Sequence, residues 1–600
     1  MSASRATFRP RLALRFGITG HRPPRLDPAL NASIHADIAR IFRRSTAALA
    51  ELHEAHASMF DPRPAKVKLV SSLAEGADVI AAEAALDTGV SLSACLPMPQ
   101  ERYARDFEPA EWQRTLRLIE QSDNVLTLSS HDKDEVGYEA AGRIVLAQCD
   151  ILIAVWDGES AAGRGGTTQI VAEAIARHLP VIHVHARGEA PPQLMWSGLH
   201  EAIPDRPSLD GVQRASAFDS LASLVEALCA PPTNERDAEC LRAFLEEKVA
   251  SPRSYSWPLL LSLTGARPWR RFSVRAASPE DSARWFAPLT HPFAGHGSFG
   301  TQLNERLLPR FARADSRAGI FALRFRSSFV SNFAMAGLAV FLALLGLLVP
   351  EAKKLLIAIE LLVILLIIAN TRGARKVDLH RRWLEHRHLA ERLRLLALSA
   401  PLGRLGLRDV EDGTTHPNWV AWYARATARE LGLVRAHVDA AYLEKLRRSM
   451  QRMIDEQERY HRGNASAMHQ SNHVLHKAGD LLFAGTVVAC AAYLALAFTI
   501  GTNRDILGLG LAGLVTFVTA LFPALAAAFY GIRMQGDFAA AAERSNALVR
   551  QLARLRNAID GDEPEFGLMA ERSRRLGDIM LSEFGQWQMH YETRPLSLPG

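Results

Sequence analysis

Four long apolar stretches constrain this chain more than any other feature. Residues 329–349 run for about 21 residues without a charge, which at 1.5 Å per residue is roughly 31 Å, enough for a bilayer core. After the short turn Pro350-Glu351-Ala352-Lys353-Lys354, residues 355–370 are apolar again except for Glu360. Residues 481–502 form a third uncharged stretch and Asn503-Arg504-Asp505 a polar turn. Residues 506–532 form a fourth stretch, carrying Pro523 and several glycines. Proline and glycine are tolerated in membrane helices, where neighbouring helices satisfy the freed backbone groups. The competing reading is core helices of a large soluble protein. It would have to bury four such runs in two tight pairs. The stretches are therefore expected to be transmembrane helices in two hairpins.

Basic residues set the expected orientation. Arg310, Arg313, Arg317, Arg324 and Arg326 precede the first stretch, and Arg372, Arg375, Lys376, Arg381, Arg382 and Arg387 follow the second. The turns hold only Lys353, Lys354 and Arg504. Cytoplasmic loops carry the excess of Arg and Lys, so the N-terminal and middle regions are expected in the cytoplasm. An even number of spans returns the C-terminus to the same side. A net charge of +6 over 600 residues, without a basic stripe interleaved with aromatics, argues against a nucleic-acid surface. Cys95, Cys149, Cys229, Cys240 and Cys490 are scattered and form no C-x-x-C pair, which argues against a zinc site or disulfide framework. The first residues show neither a long apolar core nor a small-residue cleavage site, so no signal peptide is expected.

A repeat is visible. HRHLAERLRLLALSA follows the first pair of stretches and RSNALVRQLARLRNAI the second, as if one helix–hairpin–helix unit occurs twice. Glu360 is an ionisable residue at membrane depth, which makes it a pore candidate; the plainer reading is an interfacial or hydrogen-bonded side chain. His469, His473 and His476 share one predicted helix face, but no nearby carboxylate or cysteine joins them, so no metal is expected.

The first 190 residues alternate between strand and helix signals. Strands are expected over 12–18, 67–70, 92–96, 124–128, 151–156 and 181–185. Helices are expected over 31–55, 79–88, 110–121, 136–148 and from about 168 to 178. This alternation predicts a parallel sheet with helices on both faces, all strand C-termini lying along one edge. Three loops rich in Gly and small polar residues fall on that edge: Gly17-Ile18-Thr19-Gly20-His21-Arg22, Ser71-Ser72-Leu73-Ala74-Glu75-Gly76-Ala77-Asp78, and Asp157-Gly158 followed by Gly163-Arg164-Gly165-Gly166-Thr167-Thr168. Each feeds a helix N-terminus, where backbone N–H groups and the helix dipole suit phosphate. His21 and Arg22 could pair with phosphate. Glu75, Asp78 and Asp157 are candidates to bind ribose hydroxyls; the alternative role for Asp78 is a cap on its helix.

GITGHR, SSLAEGAD and CDILIAVWDGESAAGRGGTTQIVAEA resemble the motifs of the SLOG superfamily, over roughly residues 10–190. That resemblance implies a Rossmann-like fold related to the LOG enzymes and to the ligand-sensing domain of TRPM channels. The paired hairpins with charged flanking helices resemble the SLATT-type membrane modules found beside SLOG domains in bacterial conflict systems. Together these imply a multi-pass protein of the bacterial inner membrane, acting in antiviral defence. It would bind a nucleotide-derived messenger of ADP-ribose or cyclic-nucleotide type. It would work as a homo-oligomer that permeabilises the bilayer, with a messenger-synthesising enzyme encoded nearby. By motif position the ligand would meet Thr19, Gly20, His21 and Arg22, then Glu75 and Gly76, then Gly165, Gly166, Thr167 and Thr168. No catalytic residue or resident cofactor is implied. The rival implication is a membrane-tethered phosphoribohydrolase. LOG enzymes use a PGGxGTxxE motif, however, and here the proline and the spacer are missing and Glu173 lies five residues after Thr168.

The expected organisation is an α/β sensing domain over 1–235 and a linker with a helix over 236–310. A first hairpin with flanking helices covers 311–400 and a helical cytoplasmic region 401–470. A second hairpin unit covers 471–560, followed by a tail over 561–600.

Overall fold

The computed structural model describes residues 8–129, 134–159, 166–201, 203–204, 206–407, 418–499, 505–506 and 509–592. The expected alternation is present: β1 (Ala13–Gly20), α1 (Asn31–Ala55), β2 (Lys66–Ser71), α2 (Ala77–Asp87), β3 (Ser91–Leu96), α3 (Pro109–Glu120), β4 (Asn124–Thr127), α4 (Asp134–Gln148), β5 (Ile151–Trp156), α5 (Thr167–Ala176) and β6 (Val181–His185). Two short strands, β7 (Gln193–Met195) and β8 (Arg214–Ser216), and helix α6 (Ala217–Cys229) complete the first 230 residues. The order across the sheet is β8-β7-β6-β5-β1-β2-β3-β4-β9. Pairing is parallel from β6 to β9, with β7 and β8 antiparallel at one edge. β1 and β5 have no exposed face: of their side chains only Thr19 and Gly20 escape full burial, as expected for strands covered on both sides.

The strand β9 (Ala436–His437) lies far along the chain and pairs with β4. Beside it α13 (Trp419–Leu431) packs under the sheet, burying Trp419, Trp422 and Tyr423. Between these elements run α7 (Glu235–Glu246), α8 (Ser256–Leu263), α9 (Pro279–Thr290), α10 (Leu308–Leu348), α11 (Lys353–Lys376) and α12 (Leu379–Ser399). After β9 come α14 (Ala440–Thr499), α15 (Leu511–Gly536), α16 (Phe538–Gly561) and α17 (Phe566–Glu592). One continuous hydrophobic core joins Leu14 in the sheet to Phe311 on α10, Leu393 on α12, Met453 on α14 and Leu552 on α16.

Among the described residues, three continuous helical runs, Gly297–Leu348, Ala440–Thr499 and Leu511–Gly561, are long and apolar enough to cross a membrane. The apolar window of Ala440–Thr499 has none of its residues buried in the protein, leaving Leu481, Phe483, Val487 and Phe498 outward. Of the four spans expected, α11 is not among these runs; Lys353, Lys354 and Glu360 occupy its first two turns. It nonetheless packs antiparallel on α10. Asn332 Nδ2 donates to Thr371 Oγ1 at 2.9 Å and Asn370 Nδ2 to Asn332 Oδ1 at 2.7 Å, while Gly346 approaches Leu356 at the far end. Glu360 falls on the same helical face as Leu356, Val363 and Ile367, which meet α10. The expected turn at residues 503–504 lies outside the described residues.

The two halves of the helical region match element by element. α10, α11 and α12 succeed one another as α14, α15 and α16 do, and α12 packs on α10 as α16 packs on α14. Each third helix begins after an aspartate in left-handed backbone, Asp378 (φ 52°) and Asp537 (φ 48°). Asp is among the few non-glycine residues that enter this region readily.

Candidate functional site

The sheet is wound outward in both directions from its middle. β1, β2, β3 and β4 progress one way, and β5 and β6 the other, so β1 and β5 flank the switch point. In open α/β sheets the crevice beyond the strand C-termini at that point is where ligands bind. Here it is a cleft of about 310 Å³. Thr19, Gly20, His21 and Arg22 line it from the end of β1, Asp78 from α2, and Gly166, Thr167 and Thr168 from the start of α5. These eight were expected from the sequence. Glu75, Gly76, Asp157 and Gly158 stand outside the lining, and Gly165 lies outside the described residues. Arg25, Ser72, Glu135 and Tyr138 also line the cleft and were not singled out. Arg25 sits in the same loop as Arg22. Tyr138 comes from α4, and no local sequence signal places it there.

Two of the glycines have a structural reason in the chain itself. A Cβ on Gly20 would stand 2.4 Å from Ala77 Cβ and 2.9 Å from Val155 O. Gly76 has φ 90°, and a Cβ there would stand 2.7 Å from His21 O. Both let the first loop lie against the start of α2, where Ala77 N–H donates to His21 O at 3.2 Å. Gly166 differs. It is the N-cap of α5, and among the described residues no side-chain oxygen caps that helix. The start of this helix, and with it the positive end of its dipole, lines the cleft.

Two cations flank this helix end. The Arg22 guanidinium lies 4.7 Å from the Tyr138 ring centroid. Arg25 is a third exposed and donates to Asp157 Oδ2 at 2.7 Å. Asp157 also receives His21 Nε2 on Oδ1 at 2.8 Å and the Glu159 N–H at 3.1 Å. Burial works to raise the Asp157 carboxyl, but the bonds from His21, Glu159 and Arg25 hold it well below the usual carboxylate range. Its oxygens are thus engaged by the protein. Asp157 thereby fixes His21 and Arg25 in place.

Asp78 behaves oppositely. It is buried, and burial pushes its carboxyl up to about 6, partly offset by the Ser71 hydroxyl and by Arg22. Ser71 Oγ donates to it at 3.1 Å and Ser72 N–H at 3.2 Å. Asp78 therefore ties the second loop to α2 while also facing the cleft. Glu173, the acid nearest in sequence to a LOG-type glutamate, lies outside the lining, where Arg177 and Arg143 engage its carboxylate.

The cleft therefore pairs the start of a helix and two arginines with a polarisable tyrosine ring. An anionic group fits the first and a planar ring the second. No protein-family model, no curated protein and no solved structure matches this chain.

Proposed function

We propose that this chain is a membrane effector gated by a nucleotide-derived messenger. The observation that carries the reading is the cleft at the β1/β5 switch point, within a sheet whose core runs on into the apolar helices. The messenger's phosphates meet the α5 N-terminus, Arg22 and Arg25, and its base lies against Tyr138. Binding shifts the sheet relative to α10 and α14, and the helices then permeabilise or conduct across the bacterial inner membrane. Four spans in two hairpins, with α11 as the second arm of the first, keep both long polar parts cytoplasmic, in line with the basic residues around them. An outcome of stopping phage infection, a homo-oligomeric state and a messenger synthase encoded nearby belong to the same proposal, as does a place for Glu360 in the path between α10 and α11.

Calorimetry of the full chain in detergent, titrated with ADP-ribose derivatives and cyclic nucleotides, is expected to give binding for at least one. Silence across the panel removes the proposal. Gly166→Trp fills the cleft and is expected to abolish nucleotide binding and toxicity while membrane insertion persists. Toxicity that survives in this variant rules out gating through this loop. One observation favours a second reading, a membrane-tethered nucleotide phosphoribohydrolase: Asp78 faces the cleft with a carboxyl near 6, the range useful to a general acid. Release of free base or ribose phosphate by the purified chain, lost in Asp78→Asn, would establish it.

A further inference from the structure

A cavity of about 550 Å³ lies well away from the nucleotide cleft, between the two helix triplets. Its walls come from α10, α12, α14, the joint between α15 and α16, and residues 257–277. One end is lined by Phe329, Met468 and Gln535, where the apolar stretches meet the polar helices. The segment that begins with α8 is fixed at that level by its first residues. Ser256 Oγ lies 2.6 Å from Ser331 Oγ, Ser254 Oγ 3.2 Å from Ser327 Oγ, and the Trp257 ring 6.0 Å from Phe329. The outer side of this segment leaves Tyr255, Leu263, Trp269 and Phe272 exposed, interleaved with the exposed Arg270 and Arg271. Aromatic rings and snorkelling arginines together are the composition of a membrane–water interface.

The interior favours an anion. Five arginines line it (Arg267, Arg275, Arg326, Arg387 and Arg544) against two carboxylates, Asp315 and Glu391. Arg387 pairs with Glu391 at 2.6 Å and Arg544 with Asp537 at 2.9 Å. Arg326 instead rests between two tryptophans, 5.2 Å from the Trp257 ring and 5.1 Å from Trp383. Deeper in, His461 is 4% exposed and its Nε2 has no hydrogen-bond partner among the described residues. A buried polar atom left unpaired calls for a partner.

We infer that this cavity holds the phosphate headgroup of an anionic phospholipid drawn from the cytoplasmic leaflet, seated between the two helix triplets. Arg326 and Arg275 receive the phosphate at the mouth, and His461 donates to a headgroup oxygen further in. Basic pockets between membrane helices on the cytoplasmic side are suited to such headgroups. The inference rests on the membrane reading above but not on the nucleotide. A lipid wedged here would touch α10 and α12 from one triplet and α14 and α16 from the other, so its presence would set how freely the triplets move apart.

The test uses the full chain, purified in detergent and stripped of lipid. Phosphatidylglycerol, phosphatidylethanolamine and glycerol phosphate are titrated separately and followed by native mass spectrometry. Phosphatidylglycerol is expected to bind about tenfold more tightly than phosphatidylethanolamine, and Arg326→Gln to remove most of that preference. Arg275 is exposed, so Arg275→Gln is expected to weaken phosphatidylglycerol several-fold with the lipid-free Tm unchanged. Equal affinity for the two lipids, or full affinity in both variants, overturns the inference. So does competition by glycerol phosphate at the same concentration as the lipid, which would mark a site for free phosphate. Flotation of the wild-type chain with phosphatidylcholine vesicles separates the two claims: failure to float removes the membrane reading itself, whereas flotation without lipid preference removes only this site.

Discussion

The two ends of the parallel strands use the same residue type in opposite ways. At the C-terminal ends, Arg22 is held by an aromatic ring and Arg25 is a third exposed, so both keep a side for a guest. At the N-terminal ends the arginines are shut in by fixed partners. Arg15 donates to Gln148 O at 2.6 Å and to its side-chain oxygen at 2.7 Å. Arg429 on α13 meets Asp150, just before β5, at 2.9 Å, and Arg310 on α10 meets Glu430 at 2.7 Å. Trp422 Nε1–H donates to Cys229 O and the Tyr423 hydroxyl to Phe8 O. One end of the sheet is thus open and the other is fused to the helices that carry the apolar stretches. β1 spans the two: Arg15 to Gly20 is roughly 16 Å of extended chain at about 3.3 Å per residue. An open end joined by a stiff strand to a sealed one is the arrangement a sensor needs if binding is to be felt elsewhere.

Breaking the sealed end should have the largest effect. Arg429→Met leaves Asp150, 1% exposed, without its charge partner. Removing one member of a buried pair costs about 3–5 kcal/mol. Chemical denaturation is expected to report that loss. A double variant with Asp150→Asn should recover part of it, and a loss below about 1 kcal/mol would mean that water reaches this seam.

The open end carries its own, smaller liability in Asp78. Its carboxyl is raised from 3.8 to about 6, so the folded state holds a proton that the unfolded state releases near 4. The stabilisation is complete below about 4 and is lost as pH rises through about 6, about 3 kcal/mol in all. Tm should accordingly fall between pH 4 and 7, and Asp78→Asn should flatten that slope. The same titration bears on binding, because loss of the proton puts a negative charge on the cleft wall. An anionic ligand whose own charge is constant over this range is expected to bind more tightly at pH 5 than at pH 7 in the wild type, with Asp78→Asn reducing the difference.

How much of this contrast was legible in the sequence follows from how far each signal reaches along the chain. β5 and β6 are local runs of apolar residues and were delimited residue for residue, as was α1. The three loops on the open edge were likewise local, and most of their expected residues meet in one cleft. The pairing of Asp157 with His21 and Arg25 was not legible, because those partners lie more than 130 positions away. Tyr138 was missed for the same reason. The sealed end was not legible at all. β9 is two residues long, and α13 reads as any amphipathic helix until Trp419, Trp422 and Tyr423 are seen beneath a sheet formed by the first 200 residues.

The smallest effect is expected at the rim of the open end, and it sharpens where the site stops. Arg187 bridges Glu159 at 2.8 Å, with both side chains more than half exposed, and lies 3.8 Å from Asp157. Exposed pairs of this kind contribute no more than about 1 kcal/mol, and salt screens them. Arg187→Gln should therefore leave Tm nearly unchanged. Arg187 does not line the cleft, so its influence on an anionic ligand is through space. Nucleotide affinity should fall less than about tenfold at low salt, and the difference from wild type should close as salt is raised. A loss that persists at high salt would mean that Arg187 touches the ligand. The guest would then extend past Asp157 toward β6, and the open end of the sheet would be larger than the cleft alone.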